Sequence, residues 1–189
     1  MAPPARLFFA VITGFEGLYD RVRERIAHRF GELVPSEESP LFPFPATRTY
    51  GRTMGEGPLL RKFFFLRAPW PQEGLAAVKH AAIELEDAIQ AAGDFPVERA
   101  VNIDPGLLND CRIILASTKD HAHRIYRGDS IWEEITLVFR NGRFEALPWT
   151  YPDFRNPAYG EFFAPIRQRY LDSLQGTILN FSPAEKNSG

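Results

Sequence analysis

The chain is almost without cysteine. Cys111 stands alone, which excludes an internal disulfide and any zinc site built on several cysteines, and makes a reducing compartment the expectation. Lying at the start of an apolar stretch, Cys111 itself reads as a small core residue rather than a reactive thiol. Membrane-length hydrophobic runs are missing too. Leu7 to Ile12 stops at Thr13 and Gly14, too short for a span and with no small-residue cleavage pattern behind it, so a cytoplasmic protein without a membrane partner is expected. Neither sign of charge prevails. With 22 Lys and Arg against 24 Asp and Glu, a net charge of -2 and a pI near 6.1, no global field draws the chain to nucleic acid. Repeats and low-complexity blocks are absent. So are GxxxxGK[ST], GxGxxG, GxSxG, HExxH and CxxC, and the STKD of Ser117 to Asp120, followed by His121, lacks the second acidic position of a guanine-reading loop.

What remains is an ordinary globular composition. At 189 residues, 44% hydrophobic and 24% charged, the chain can bury about 70% of its unfolded surface in one core. Leu7 to Ile12 is continuously apolar, as in a central strand covered on both faces. From Phe15 to Leu33 apolar residues recur at three and four, with Arg21, Arg23, Glu24, Arg25 and Arg29 elsewhere, which predicts an amphipathic helix with a solvated basic side. Val34 to Ala46 carries Pro40, Pro43 and Pro45 and cannot be a helix or a central strand. Thr47 to Gly57 begins like a strand and dissolves into glycines. Leu59 to Leu66 resumes a strand that Pro69 and Pro71 end. A second amphipathic helix runs from Leu75 to Ala92 and stops at Gly93. Strands follow at Glu98 to Ile103 and Arg112 to Ala116. A hairpin joins Ile131 to Phe139 with Phe144 to Trp149 around Asn141-Gly142. A last helix covers about Ala158 to Leu174, with Pro165 kinking it or starting a second segment. The order predicts one α+β domain over residues 1–181, two-layered, with a mixed or mostly antiparallel sheet and about three helices, then a flexible tail at 182–189.

Four polar stretches fall at strand ends or in loops, where a scaffold fixes groups that stay accessible: TRTYGRTMGEG, VNIDPG, STKDHAHRIYRGD and WTYPDFR. The densest is Ser117 to Tyr126. Lys119 and Arg124 supply positive charge for phosphate or carboxylate, Ser117, Thr118 and Tyr126 offer hydrogen bonds, and His123 with Asp120 could move a proton. Asp104 projects from a strand end ahead of Pro105-Gly106, to place a cation or a proton, or else to cap a turn or a short helix at Leu107. Asn102 needs partners if it is buried. Trp149 and Tyr151 either stack on a ring or close the core, and Asp153 and Arg155 add one charge of each sign. Of Glu133 and Glu134, alternation turns one inward. A divalent metal on His121 and His123, both on one face of a strand, with Asp104, Asp120 or Asp153, rests on few ligands, so the cofactor is unknown. Taken together, the residues favour a pocket for a phosphate-bearing or other anionic small molecule, binding only or extending to hydrolysis or phosphoryl transfer. The alternative is a non-catalytic RNA-binding or protein-interaction module, suggested by the basic first helix and the aromatic residues Trp149 and Tyr151. Nothing fixes an oligomeric state.

LFFAVITG, TRTYGRTMG, VNIDPG, ILASTKDHAHRIYRG, EITLVFRNGRFE and WTYPDFR, in that order along nearly the whole chain, resemble the uncharacterised bacterial family called domain of unknown function 4416. The resemblance implies no reaction. The opening RLFFAV and the α+β layout also resemble the two-histidine phosphoesterases and RNA ligase-like proteins. Their paired His-x-Ser/Thr motifs are missing here, so their chemistry is not implied.

Overall fold

Nine consecutive buried residues make β1 (Ala5–Thr13) the axis of the protein, as its unbroken apolar run requires. In the computed structural model, which describes residues 3–45 and 47–179, β1 is followed by α1 (Leu18–Phe30), β2 (Phe42–Phe44), α2 (Arg48–Met54), β3 (Leu59–Trp70) and α3 (Leu75–Ala91). Then come β4 (Asn102–Leu108), β5 (Arg112–Ser117), β6 (Ile125–Gly128), β7 (Ile131–Arg140), β8 (Arg143–Ala146) and α4 (Pro157–Leu179). The expected tail at 182–189 lies outside the described residues. All the strands join one antiparallel sheet in the order β2-β3-β1-β4-β5-β7-β6, with β8 also on β7. The domain is α+β, as expected.

Period-two alternation assigns each face of the sheet its own core. Leu7, Phe9 and Val11 of β1, with Phe64 and Leu66 of β3, pack against Val22 and Ile26 of α1 and Val78 and Ala82 of α3. Phe8 and Ala10, with Phe63 and Phe65, pack against Tyr159, Phe163 and Ile166 of α4. Helices therefore cover both faces. Arg6 and Arg169 tie α4 down through Glu37, at 2.6 and 2.9 Å. Gly93 at φ 71° ends α3 as the sequence predicts, and Asn141 at φ 51° with Gly142 at φ 78° makes the β7–β8 turn.

Several elements depart from expectation, each for a local reason. Thr47 to Gly57 holds a helix, not a strand, and α2 brings the helix count among the described residues to four. Tyr50 and Met54, one helical turn apart, pack with Phe44 and Ile12, and this packing outweighs the helix-weakening Gly51. β3 continues through Pro69, which pairs with Arg6 beyond the reach of β2, where a proline removes no ladder bond. Of Val34 to Ala46, residues 34–45 form a loop interrupted by a 3-10 turn at Pro35–Glu37 and by the short edge strand β2, and Ala46 lies outside the described residues. β6 was not expected at all, and β8 stops at Ala146, leaving Trp149 in a turn. Pro165 sits on the exposed side of one continuous α4, so the carbonyl it leaves unpaired can meet water. Cys111 is exposed in the β4–β5 turn rather than buried, its amide held by Asn109 Oδ1 at 3.1 Å.

The departure with most consequence is β4. It runs from Asn102 through Pro105-Gly106 to Leu108, so Asp104 lies inside a strand and not before a turn or a helix at Leu107. Only Gly106, Leu107 and Leu108 pair with β5, although both strands continue beyond that ladder. The sheet splits there. Ile103 turns its amide and carbonyl toward the gap, where Glu86 Oε1 accepts from the amide at 2.7 Å and Lys79 Nζ donates to the carbonyl at 2.9 Å. Two side chains of α3 thus stand in for the missing strand. Pro105 shares the parity of Ile103, so its absent N–H falls on the same unpaired side, where a ladder bond is not lost.

At the fork itself only glycine fits. A Cβ on Gly106 would lie 2.4 Å from Phe8 Cζ, 2.7 Å from the Ile114 carbonyl oxygen and 2.8 Å from Leu115 Cδ2. Gly106→Ala is expected to cost about 1–3 kcal/mol in chemical denaturation. Gly57→Ala, where the added carbon meets nothing within 4 Å, is the control and should stay within about 0.5 kcal/mol of the parent.

Candidate functional site

The fork opens into a cavity of about 430 Å³ on the α4 side of the sheet. Its floor follows from strand register. Asp104 is the cross-strand partner of Ala10, Asn102 and Arg61 are both partners of Ile12, and Glu134 is the partner of Leu115, so all four point to the face where Ala10 and Leu115 lie. Ser117, two residues after Leu115, shares that direction. Tyr50 of α2, with Tyr151, Asp153 and Phe154 around the 3-10 turn at Pro152–Arg155, completes the wall.

Lys79 is the anomaly. It belongs to α3, on the opposite face, yet it reaches through the split to lie 2.9 Å from Asp104 Oδ1 while bonding the Ile103 carbonyl. Asn102 Nδ2 donates to the other carboxylate oxygen at 2.6 Å. Burial alone would raise the Asp104 carboxyl. The charges of Lys79 and Arg61 and the hydrogen bonds from Lys79 and Asn102 outweigh it and hold the pKa at about 2, against an ordinary 3.8. Asp104 is therefore a fixed negative charge at neutral pH. Glu86, behind Lys79, takes Arg99 Nε at 3.1 Å; there burial wins over the pull of Lys79 and Arg99, and the carboxyl is raised.

Arg61 is 3% exposed, and its guanidinium carbon lies 5.1 Å from the Phe44 ring centre and 4.9 Å from that of Phe154. Its Nε is 2.9 Å from Asp153 Oδ2, but Arg61 Nε and Nη1 and Asp153 Oδ1 are buried without a hydrogen-bond partner among the described residues. Burial raises the Asp153 carboxyl against the attraction of Arg61. A pair with so much bonding capacity unspent is poorly satisfied by the protein alone.

On the β5 arm, Ser117 Oγ accepts from the Lys119 amide at 3.2 Å and from Arg124 Nη1 at 2.8 Å, and Arg124 Nη1 also donates to the Lys119 carbonyl at 2.7 Å. Arg124 Nε meets Glu134 Oε2 at 2.8 Å. The turn is locked around Arg124. Lys119 is left with no carboxylate among the described residues.

Of the residues singled out from sequence, Asn102, Asp104, Ser117, Thr118, Lys119, His121, Arg124, Glu134, Tyr151 and Asp153 line this one cavity. His123, Asp120, Tyr126 and Arg155 lie elsewhere. His123 is behind the wall, its Nε2 2.9 Å from Glu134 Oε2 and its ring stacked between His121 and Trp149, each centre 5.7 Å away. Asp120 is exposed outside the lining. Tyr126, 59% exposed on β6, packs on Trp132. Arg155 staples its own turn, donating to the carbonyls of Thr150 at 2.9 Å and Pro148 at 2.8 Å. His121 and His123 occupy a turn rather than a strand, and among the described residues no three His, Cys, Asp or Glu side chains gather as a metal site.

Arg61, Lys79, Arg99 and Tyr50 were not foreseen. Two of them had left a trace. Lys79 lies four residues after Leu75 and three before Ala82, on the apolar stripe of its helix, and Arg61 shares the face of Phe63 and Phe65. A charge at a core position is the signal.

The family model described as domain of unknown function (DUF4416) matches residues 3–170. No curated protein and no solved structure matches the chain. Among the described residues no helix is long and apolar enough to cross a membrane.

Two outcomes follow from the buried charges. Asp104 should titrate near 2 by carbon-13 NMR, and a midpoint near 3.8 would show that Lys79 and Arg61 do not govern it. Because its folded pKa is the lower one, its contribution to stability is complete above about pH 4 and drains away as pH falls toward 2. Lys79→Met should cost about 3 kcal/mol by leaving a carboxylate and a carbonyl without their donor, and adding Asp104→Asn should recover part of it.

Proposed function

The chain belongs to the family whose model it matches, and we propose that it binds a phosphate-bearing or otherwise anionic small molecule in the cavity at the fork of the sheet. One observation carries the reading. Five cationic side chains, Arg61, Lys79, Arg99, Lys119 and Arg124, converge on a single cavity that three carboxylates, Asp104, Glu134 and Asp153, also line. With Glu86 counted behind Arg99, every cation except Lys119 has a carboxylate partner among the described residues. The uncompensated charge therefore lies at the margin, beside the Ser117 and Thr118 hydroxyls, where an anion can reach it. Water is displaced from little of its surface there, and the charge is not spent inside the protein.

The proposal is one of recognition. Of the groups considered for proton transfer, Asp104 is held ionised, His123 is engaged by Glu134 behind the wall, and Asp120 is outside the lining. An RNA-binding or protein-interaction role draws less support. Arg21, Arg23 and Arg29 of α1 are paired with Asp94, Glu38 and Glu84, and Tyr151 faces the cavity. The lone, unpaired Cys111 fits a reducing compartment, and a cytoplasmic location is part of the reading.

Phosphate and pyrophosphate, offered at about a hundred times their Kd, should raise the thermal unfolding midpoint by roughly 5–10 °C. Lys119→Ala should lower that affinity without changing the midpoint of the free protein, since Lys119 makes no ion pair to lose. Absence of any shift with either anion, at low salt and up to millimolar concentration, would remove the reading.

A further inference from the structure

The wall that holds the cations also carries hydroxyls with nothing to bond. Thr47, Thr49, Tyr50, Thr118 and Tyr151 line the cavity, and none of their side-chain oxygens has a hydrogen-bond partner among the described residues. An apolar ligand would leave all of them unsatisfied. An inorganic anion lodged at Lys119 could engage only those nearest the margin. The cavity, at about 430 Å³, is far larger than such an ion and lies within the range of small-molecule pockets.

Asp104 adds a second constraint. Its two oxygens each accept one hydrogen bond, from Lys79 and from Asn102, which leaves acceptor capacity on both, and its side chain is 23% exposed. A permanently ionised carboxylate repels a phosphate and attracts O–H donors. The two arms of the fork thus ask for different chemistry. The β5 arm, with Ser117, Lys119 and Arg124, favours an anion; the β4 arm, with Asn102 and Asp104, favours hydroxyls. Continuing the Gly106–Leu115 register puts Asp104 across from Ser117, so one ligand of modest length can touch both arms.

We propose that the ligand is a phosphorylated polyol, a sugar phosphate or the ribose phosphate of a nucleotide, with its phosphate at Lys119 and Arg124 and its hydroxyls on Asp104, Asn102 and the unpartnered threonines and tyrosines. This rests on the anion-binding reading and narrows it to two-ended ligands.

Titration calorimetry on the full chain separates the two levels. The probes are ribose 5-phosphate, glucose 6-phosphate and adenosine 5′-monophosphate, set against methyl phosphate, inorganic phosphate and unphosphorylated ribose. At least one polyol phosphate should bind about tenfold or more tighter than methyl phosphate, as expected of two or more added hydrogen bonds, and ribose should bind weakly or not at all. Asp104→Asn should erase that advantage while leaving methyl phosphate bound at least as well. Because Asp104 is paired with a buried lysine, Thr49→Val and Tyr50→Phe provide tests that remove no bond within the protein. Each should weaken the polyol phosphate several-fold and spare methyl phosphate. Equal binding of polyol phosphates and methyl phosphate would overturn the inference and leave the anion reading standing; no binding of any phosphate would overturn both. Ribose 5-phosphate and adenosine 5′-monophosphate share the sugar phosphate and differ in the base that replaces the anomeric hydroxyl, and whichever binds more tightly identifies the source of the phosphorylated polyol.

Discussion

A sheet can part only if the backbone groups it exposes are satisfied, and that condition organises this protein. Where β4 leaves β5, Ile103 would present a bare amide and carbonyl to the gap. Glu86 and Lys79 of α3 reach over and bond both. Side chains that replace a strand must be long, polar and buried, so the fork acquires charges as a consequence of its geometry. Gly106 holds the vertex because the Phe8 ring and the Ile114 carbonyl leave no room for a Cβ. Pro105 follows on the unpaired side, where it removes no bond.

Charges brought in for the backbone then require partners of their own. Lys79 takes Asp104, Glu86 takes Arg99, Arg61 takes Asp153, and Arg124 takes Glu134. Such pairs contribute little net stability, because desolvation of both members offsets their attraction. Apolar residues of similar size would fill the same space with less electrostatic cost. Charges beyond those that Ile103 requires gather at one end of a sheet whose other end is packed with phenylalanine, and the anion proposed for the cavity would account for them. The aromatic half, with Phe8, Phe63, Phe65 and Phe163 interlocked beneath α4, supplies the rigidity that keeps the polar half open.

The polar half is also graded. Its buried cations Arg61 and Lys79 are paired with carboxylates, Arg61 also lying against two rings, its carboxylate on β4 is fixed in one charge state, and the one cation without a carboxylate among the described residues stands at the margin. The proposed ligand would meet attraction first and hydrogen-bond selection afterwards. That order suits discrimination among anions better than tight binding of any anion, since hydroxyl-reading groups penalise a ligand that cannot use them.

The sequence alone determined the parts that depend on short-range periodicity. Continuous apolarity made β1 central, spacing of three and four made α1 and α3, and Asn141-Gly142 made the hairpin, because each signal is confined to a few residues and to backbone preference. It also drew attention to the loops after Ala116 and before Phe154, where Ser117, Thr118, Lys119, His121, Arg124, Tyr151 and Asp153 prove to share a cavity with Asn102 and Asp104 of β4. Tertiary structure decided the rest. Pro105-Gly106 looks like a turn until a neighbouring strand lacks room beside it, and Thr47 to Gly57 looks like a failed strand until Tyr50 and Met54 find Phe44. Arg61 and Lys79 stand out locally only as charges at core positions, and nothing local says that a strand will stop pairing above them. The meeting of α3 with the gap between β4 and β5 joins segments far apart in the chain, and contacts of that range are fixed by packing, which no local pattern encodes.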